Sequence, residues 1–576
     1  MGTQSKATGP TRADVARIAA RPEAEVLIIG GGINGLATFR DLALQGVDVV
    51  LVERGDYVSG ASSASSHMIH GGVRYLENGE LRLVRESVQE RNGLLKTAPH
   101  YVKPLKTTIP IFSTVSGIMN APLRMISHKQ RSTKERGAAL IKIGLTIYDS
   151  FSRDGGSVPR HQFHGRKVSL EQMPSLNPSL KYTATYFDAS MHDPERLALD
   201  VLGDGLATGN KARSANYLEA VALTAEGVRV RDTETGIEFT IASDVVINTS
   251  GPWTDVTNDA LGMPTQYMGG TKGSHIVLDH PDLYNELAGR ELFFENNDGR
   301  IVLIYPLKGR VMVGTTDLEA DIREASVTTQ DEIDYFFDLV RQVFPSFTLD
   351  RSQIVYTFSG IRPLPKHDDE VPGFVSRDYR IERTPIAVRP GSTLLSLVGG
   401  KWTTFRALAE HISTDVLEIL GKTRIVSTVG LAIGGGKGFP TTDAARRVWL
   451  ASNSDLVGAA RAEALLGRYG THATDIIDYI VENGDVALAS STEYSRTEIE
   501  YLVSQESVVH LPDLLLRRTS IAFTGTVTAP LLEELADVMA EQLGWDALTR
   551  DAEVLDTRTL LATAHLVTVP EVASAL

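Results

Sequence analysis

Cysteine is absent from this 576-residue chain. Its absence removes disulfides, thiolate metal sites, iron–sulfur clusters and cysteine nucleophiles together, so any redox chemistry must be carried by a bound organic group. Long apolar runs are missing too, since no stretch approaches the ~18–20 residues needed to cross a bilayer. Residues 1–22 lack the apolar core of a secretory signal and read as a mobile extension. The 14 histidines show no H-E-x-x-H arrangement, and no metal site is expected. Positive charge is in deficit: a formal net charge of −15 argues against nucleic acid as a partner. The deficit is uneven. Residues 430–576 hold 21 acidic against 10 basic side chains, whereas residues 115–167 hold ten Lys or Arg against three Asp or Glu.

The chain far exceeds the ~250–300 residues over which one core usually grows, so two or three domains are expected. Its most informative segment runs from Glu25 through Gly30, Gly32 and Gly35, then a helical pattern, then an apolar strand ending in Glu53. The G-x-G-x-x-G spacing lets a turn close tightly, lets backbone approach a pyrophosphate, and lets helix meet strand. The helix N-terminus then favours negative charge, and a carboxylate about 20 residues on can accept from ribose hydroxyls. Two further returns to a nucleotide domain are read at 244–253 and at 394–406, where strands end in small residues; at the latter Gly399 and Gly400 precede a helix beginning near Thr403. Segments 228–230, 245–248, 275–278, 301–305 and 311–314 read as strands, suggesting a sheet-based second domain interwoven with the first. Beyond Gly436 the pattern becomes helical, as at 459–469 and 529–543.

Several motifs in order then resemble one family. Ser62-Ser63-Ala64-Ser65-Ser66, Ile69-His70-Gly71-Gly72-Val73-Arg74-Tyr75-Leu76, Lys272-Gly273-Ser274-His275, Gly314-Thr315-Thr316-Asp317, Ser359-Gly360-Ile361-Arg362-Pro363-Leu364, Ser376-Arg377-Asp378-Tyr379 and Gly399-Gly400-Lys401-Trp402-Thr403-Thr404 look like FAD-dependent glycerol-3-phosphate dehydrogenase. The match runs from about residue 24 to 410, and the helical tail, with Leu516-Arg517-Arg518-Thr519, resembles that family's C-terminal domain. Two features depart from the family: His67 stands where its members usually carry lysine, and residues 115–140 are longer than in shorter bacterial members.

The resemblance implies an α/β fold of the glutathione-reductase-like superfamily: an interrupted Rossmann-like FAD domain (23–113 with 186–262 and 355–425), a β-sheet substrate domain (114–185 with 263–354) and a C-terminal α-helical domain (430–576). It implies oxidation of glycerol 3-phosphate to dihydroxyacetone phosphate, with electrons passed to a membrane quinone. Glycerol-3-phosphate oxidase chemistry and non-catalytic nucleotide binding are the alternatives. For FAD, Gly30, Gly32 and Gly35 admit the pyrophosphate, Glu53 the ribose, Ser62 and Ser63 add hydroxyls, and Gly399, Gly400 and Thr403 set a helix N-terminus against the ring. A phosphate dianion needs cations, and Arg74, Arg362, Arg377 and Lys401 match the family's active-site motifs. His70 is the expected base, an imidazole being suited to neutral pH, with Arg362 polarising the developing carbonyl. Tyr75, Thr271, Lys272 and His275 are further contacts. The segment 119–149 interleaves apolar and basic residues, as an anionic bilayer surface requires. The expected location is therefore the cytoplasm, peripherally at the inner face of the plasma membrane; a homo-oligomer is compatible with the sequence.

Overall fold

Runs of branched apolar residues set the first layer. Glu23–Ile29, Val49–Val52, Glu238–Asn248 and Thr393–Val398 end in consecutive buried residues, as strands covered on both faces do. The computed structural model describes residues 12–72, 81–112, 141–149 except 143 and 147, 158–296, 300–366 and 379–569. Among these, the four strands pair in parallel in the order Thr393–Val398, Glu238–Asn248, Glu23–Ile29, Val49–Val52, then Ala212–Ala215. Arg380–Pro385 adds an antiparallel edge. Helices Ile33–Leu44, Pro194–Leu206 and Phe405–Ile419 cover one face, through Leu36, Phe39, Leu197, Val201, Leu408 and Ile412. The hairpin strands Leu218–Leu223 and Val228–Asp232 help to cover the other.

That second face also takes Val15 and Ile18 of helix Ala13–Ala20. Residues 13–20 are therefore not part of a mobile extension: the i, i+3 pair of apolar side chains is buried, and Arg12 Nη1 donates to Asn216 Oδ1 at 2.7 Å.

A second, ten-stranded sheet stands beside the first. Its backbone is the long antiparallel pair Met268–Leu278 with Ile354–Pro365, flanked by Arg310–Gly314, Ile301–Leu307 and Arg290–Glu295, then Val102–Ile111 and Tyr182–Met191. Val102–Ile111 and Ile354–Pro365, placed by the sequence in nucleotide-domain segments, take all their partners from this sheet. One face is sealed by helices Gln330–Val343 and Pro281–Leu287. The other carries Val277, Met312, Tyr356 and Phe358, and Ala522, Leu561 and Val567 from the C-terminal region pack against part of it. Helices Ala459–Tyr469, Ala473–Asn483, Arg496–Gln505 and Ala529–Leu543 enclose a separate core around Leu465, Ile477, Leu502 and Leu535. Among the described residues, no helix is long and apolar enough to cross a membrane.

Candidate active site

The glycine turn closes as its spacing requires. Gly30 has φ +111°, and a Cβ there would lie 2.8 Å from the Thr249 carbonyl group; a Cβ on Gly35 would lie 1.9 Å from Gly30 O. A Cβ on Gly32 would meet only Ser62 Oγ, at 3.2 Å, so backbone here is open to a ligand. Ser62 Oγ accepts from Ile33 N at 3.0 Å, in the first turn of helix Ile33–Leu44. Glu53 closes the second strand and takes Gly31 N at 2.6 Å and Gly55 N at 2.9 Å. Burial raises its carboxyl above the ordinary range despite those two donors. All of these groups lie at the carboxyl ends of the parallel strands, where such sheets bind nucleotides. The buried Asn34 Oδ1 has no hydrogen-bond partner among the described residues. The backbone cradle, the helix N-terminus and this vacant acceptor fit FAD.

The serine loop carries the nucleotide end over to the second sheet. Ser63 Oγ donates to Gly60 O at 3.0 Å, within the loop itself. Trp402 Nε1 donates to Ser62 O at 2.9 Å, and Thr403 Oγ1 to His70 O at 3.3 Å, so the turn after Gly399 and Gly400 grips both ends of the loop. A 3-10 turn at Trp402–Thr404 precedes the helix Phe405–Ile419. A Cβ on Gly400 would stand 2.7 Å from Asn34 Nδ2, which brings the two helix N-termini together. Across the loop, Ser66 Oγ lies 2.8 Å from His275 Nε2.

On the second sheet, residues of Met268–Leu278 alternate between faces. Thr271, Gly273 and His275 share the face that bears Arg362, because Arg362 pairs with Thr271 across the strands. Arg362 fills the space over Gly273 and, among the described residues, bonds from Nη1 to Asp317 Oδ1 at 2.8 Å and from Nη2 to Thr315 Oγ1 and Thr316 O, both at 2.9 Å. Sequence alone assigns Asp317 and Thr315 no role of their own, although the run Gly314–Asp317 is among the family motifs. His275 stacks on Phe358, with centroids 4.6 Å apart, and burial together with the Arg362 charge pushes its pKa well below the imidazole range. It is therefore neutral. Among the described residues, Thr271 Oγ1 and His275 Nδ1 are buried atoms without a hydrogen-bond partner.

Lys401 Nζ reaches Ser87 Oγ, at 2.5 Å, on helix Leu81–Thr97. Lys272 turns to the opposite face, where its ammonium donates to Glu332 Oε2 and Val327 O, both at 2.8 Å. His67 also stands away from the nucleotide turn: its Nδ1 lies 3.2 Å from Met191 O, and its ring packs against Phe358 and Phe523. Arg74, Tyr75 and Arg377 lie outside the described residues.

The family model described as FAD dependent oxidoreductase matches residues 25–411, and that of the C-terminal domain of alpha-glycerophosphate oxidase matches 426–550. The chain belongs to the FAD-dependent oxidoreductases. Among the relatives of this flavoprotein, a glycerol-3-phosphate dehydrogenase from Synechocystis sp. is 32% identical over 566 residues, covering 92% of this chain and 95% of the relative. A D-erythritol 1-phosphate dehydrogenase from Brucella abortus is 31% identical over 521 residues, covering 87% and 95%. The fold is that of glycerol-3-phosphate dehydrogenase from Bacillus halodurans, solved with FAD, at a TM-score of 0.72 and 23% identity over 96% of this chain and 97% of that one. FAD is the cofactor of this oxidoreductase.

Proposed function

We propose that this flavoprotein oxidises sn-glycerol 3-phosphate to dihydroxyacetone phosphate and passes the electrons to a membrane quinone. FAD, when bound, supplies a ring that accepts hydride. The observation that carries the reading is the sheet face holding Arg362 beside two vacant buried polar atoms, Thr271 Oγ1 and His275 Nδ1. An immobilised cation next to unsatisfied neutral groups suits a polyol, whose hydroxyls satisfy groups that are costly to leave unpaired and whose reacting oxygen gains charge beside the guanidinium.

In this reading Arg74, Tyr75 and Arg377 hold the phosphate, and Thr271 and His275 hold the hydroxyls. His70 takes the alcohol proton, while Arg362 and Lys401 steady the oxygen on which charge develops. Arg362 needs no reorganisation for that task, since Asp317 and the Thr315–Thr316 pair already fix its plane. The basic and apolar residues of 119–149, most of which lie outside the described residues, would seat the protein on the anionic inner face of the plasma membrane.

The test is anaerobic titration with glycerol 3-phosphate, followed by flavin bleaching, with D-erythritol 1-phosphate run in parallel. The reading requires bleaching and a larger kcat/KM for glycerol 3-phosphate. An unbleached flavin, or preference for the longer polyol phosphate, rejects the substrate assignment.

A further inference from the structure

The acidic helical domain has no role in the chemistry above, yet it meets the nucleotide domain at a buried ionic cluster around Asp56. Asp56 lies three residues beyond Glu53 and is fully buried. Arg518 donates from Nη1 to Asp56 Oδ2 at 2.8 Å and from Nη2 to Oδ1 at 2.9 Å, and Arg517 Nε donates to Oδ2. Asn216 Nδ2 adds a bond to Asp56 Oδ1 at 3.0 Å and another to Ser507 O at 2.9 Å. Asp513 completes the cluster, accepting from Arg517 Nη2 and from Tyr217 OH, both at 2.7 Å. Burial opposes ionisation of Asp56, but the two guanidiniums outweigh it and hold the carboxyl well below the usual range.

The other side of the cluster is the loop that grips the glycine turn. Residues 53–58 meet that turn through Glu53 Oε2 to Gly31 N at 2.6 Å and through Val58 N to Gly31 O at 3.0 Å. The loop is also sewn to the residues bearing Asn216 and Tyr217, by Tyr217 N to Gly55 O at 2.9 Å and Leu218 N to Glu53 O at 2.8 Å. A buried ion pair often only breaks even in stability against apolar packing, and its best-attested use is to fix one geometry. Here the geometry fixed is that of the loop bearing Glu53, the carboxylate expected to hold the FAD ribose.

We propose that the helical domain is a cofactor-retaining element, with Arg517 and Arg518 acting through Asp56 to hold the 53–58 loop in the shape that binds the adenosine half of FAD. Asp56, Arg517 and Arg518 are positioning residues that do not touch the cofactor. The inference rests on FAD binding and not on which alcohol is oxidised.

The experiment reads the FAD dissociation constant of the full-length protein, stripped of flavin and titrated by fluorescence, in the absence of substrate. Asp56→Asn and Arg518→Met should each raise it at least about tenfold, equivalent to about 1.4 kcal/mol. Arg518→Lys, which keeps the charge and loses the two-point geometry, should fall between Arg518→Met and the parent. Tyr217→Phe removes one hydroxyl and serves if Asp56→Asn does not fold, with a smaller rise in the same direction. Glu498→Gln is the control: Glu498 is equally buried and bonds Arg461, Arg468 and Tyr469 inside the helical domain, away from the loop. It should lower the melting temperature and leave the FAD dissociation constant within about twofold. Unchanged FAD affinity in the folded Asp56 or Tyr217 variant overturns the proposal. So does an equal loss of affinity in Glu498→Gln at matched melting temperature, because that would be general loosening.

Discussion

Gly273→Ala should silence turnover while sparing the fold and the cofactor. A Cβ at Gly273 would stand 2.2 Å from Arg362 Nη2 and 2.6 Å from its Cζ. Ordinary contact begins near 3.4 Å, so the guanidinium must withdraw by the difference, about 1.2 Å. The obstacles are side-chain atoms, the far end of Arg362 and Thr315 Oγ1 at 2.9 Å, and Gly273 lies in an extended strand, so the backbone has no reason to move. That withdrawal breaks the bonds to Asp317, Thr315 and Thr316. Bonds to a charged group contribute ~1.5–3 kcal/mol each when buried. Arg362 is partly exposed and can regain water, so the global cost is on the order of 1–3 kcal/mol. The loss in rate is larger, because removing one preorganised stabiliser of developing charge costs about 10²–10³-fold. Stopped-flow flavin reduction by glycerol 3-phosphate measures the rate, and absorbance and thermal melting report cofactor content and folding. Full-rate reduction in Gly273→Ala refutes the role given to Arg362; a colourless protein refutes the claim that Gly273 acts only through Arg362 and its neighbour Thr315.

Three further outcomes are expected. In Gly35→Ala the new Cβ would lie 1.9 Å from Gly30 O, a backbone atom that cannot step aside, so the protein should purify without flavin; a yellow variant would contradict the pyrophosphate assignment. His67 sits at φ +52° with its pKa lowered from 6.5 to about 4 by burial. Between those values the unfolded chain binds a proton that the fold refuses, so stability falls as pH falls from 6.5 towards 4, by on the order of 3 kcal/mol at the lower end. His67→Asn tolerates the left-handed backbone and removes that share of acid sensitivity; urea unfolding near neutrality and near pH 5 should show a smaller difference than in the parent, and an equal difference would exclude His67 as its source. Neutralising Arg131, Lys134 and Arg136 together should weaken binding to anionic liposomes and leave reduction of a soluble dye intact, whereas unchanged liposome binding would discard this segment as the membrane contact.

The glycine turn between the first strand and its helix was legible because its signals are local. Gly30, Gly32, Gly35 and Glu53 carry their meaning in spacing alone, and the strand and helix on either side announce themselves by period. What the sequence hid is what tertiary pairing decides. Alternation along 271–275 says that Thr271 and Lys272 face opposite ways, but only the Arg362 partnership of Thr271 and the Glu332 partnership of Lys272 say which face is the site. Val102–Ile111 contains Pro104 and Pro110 beside Lys103 and Lys106, a composition that argues against an inner strand, and yet it pairs on both edges. Helix Ala13–Ala20 shows its buried pair, Val15 and Ile18, only once the polar residues around it are discounted. The Ser66–His275 contact joins residues 209 apart, for which no local rule exists.

The two ends of the site are held by different means, and that division predicts how damage sorts. At the nucleotide turn the groups expected to face FAD are backbone, so identity matters only where a side chain would intrude, as at Gly30 and Gly35. The side chains proposed to act on the substrate are long, and each is held by a second residue: Arg362, on the second sheet, by Asp317, and Lys401, just past the Gly399 turn of the first sheet, by Ser87; Arg406, further along the chain, forms a two-point pair with Glu90 at 2.7 and 2.8 Å. Ser87 and Glu90 lie three residues apart on helix Leu81–Thr97, one turn of the same face. Ser87 also donates to Leu83 O at 2.6 Å, which leaves its oxygen lone pairs for the Lys401 ammonium. A rigid helix thus sets both cations that flank the turn at residues 402–404. Ser87→Ala should therefore lower kcat with FAD still bound, and Ser87→Thr, which keeps the hydroxyl and its bond to Leu83 O, should restore most of it. If Ser87→Ala instead releases flavin, the helix serves the cofactor and not the reacting alcohol.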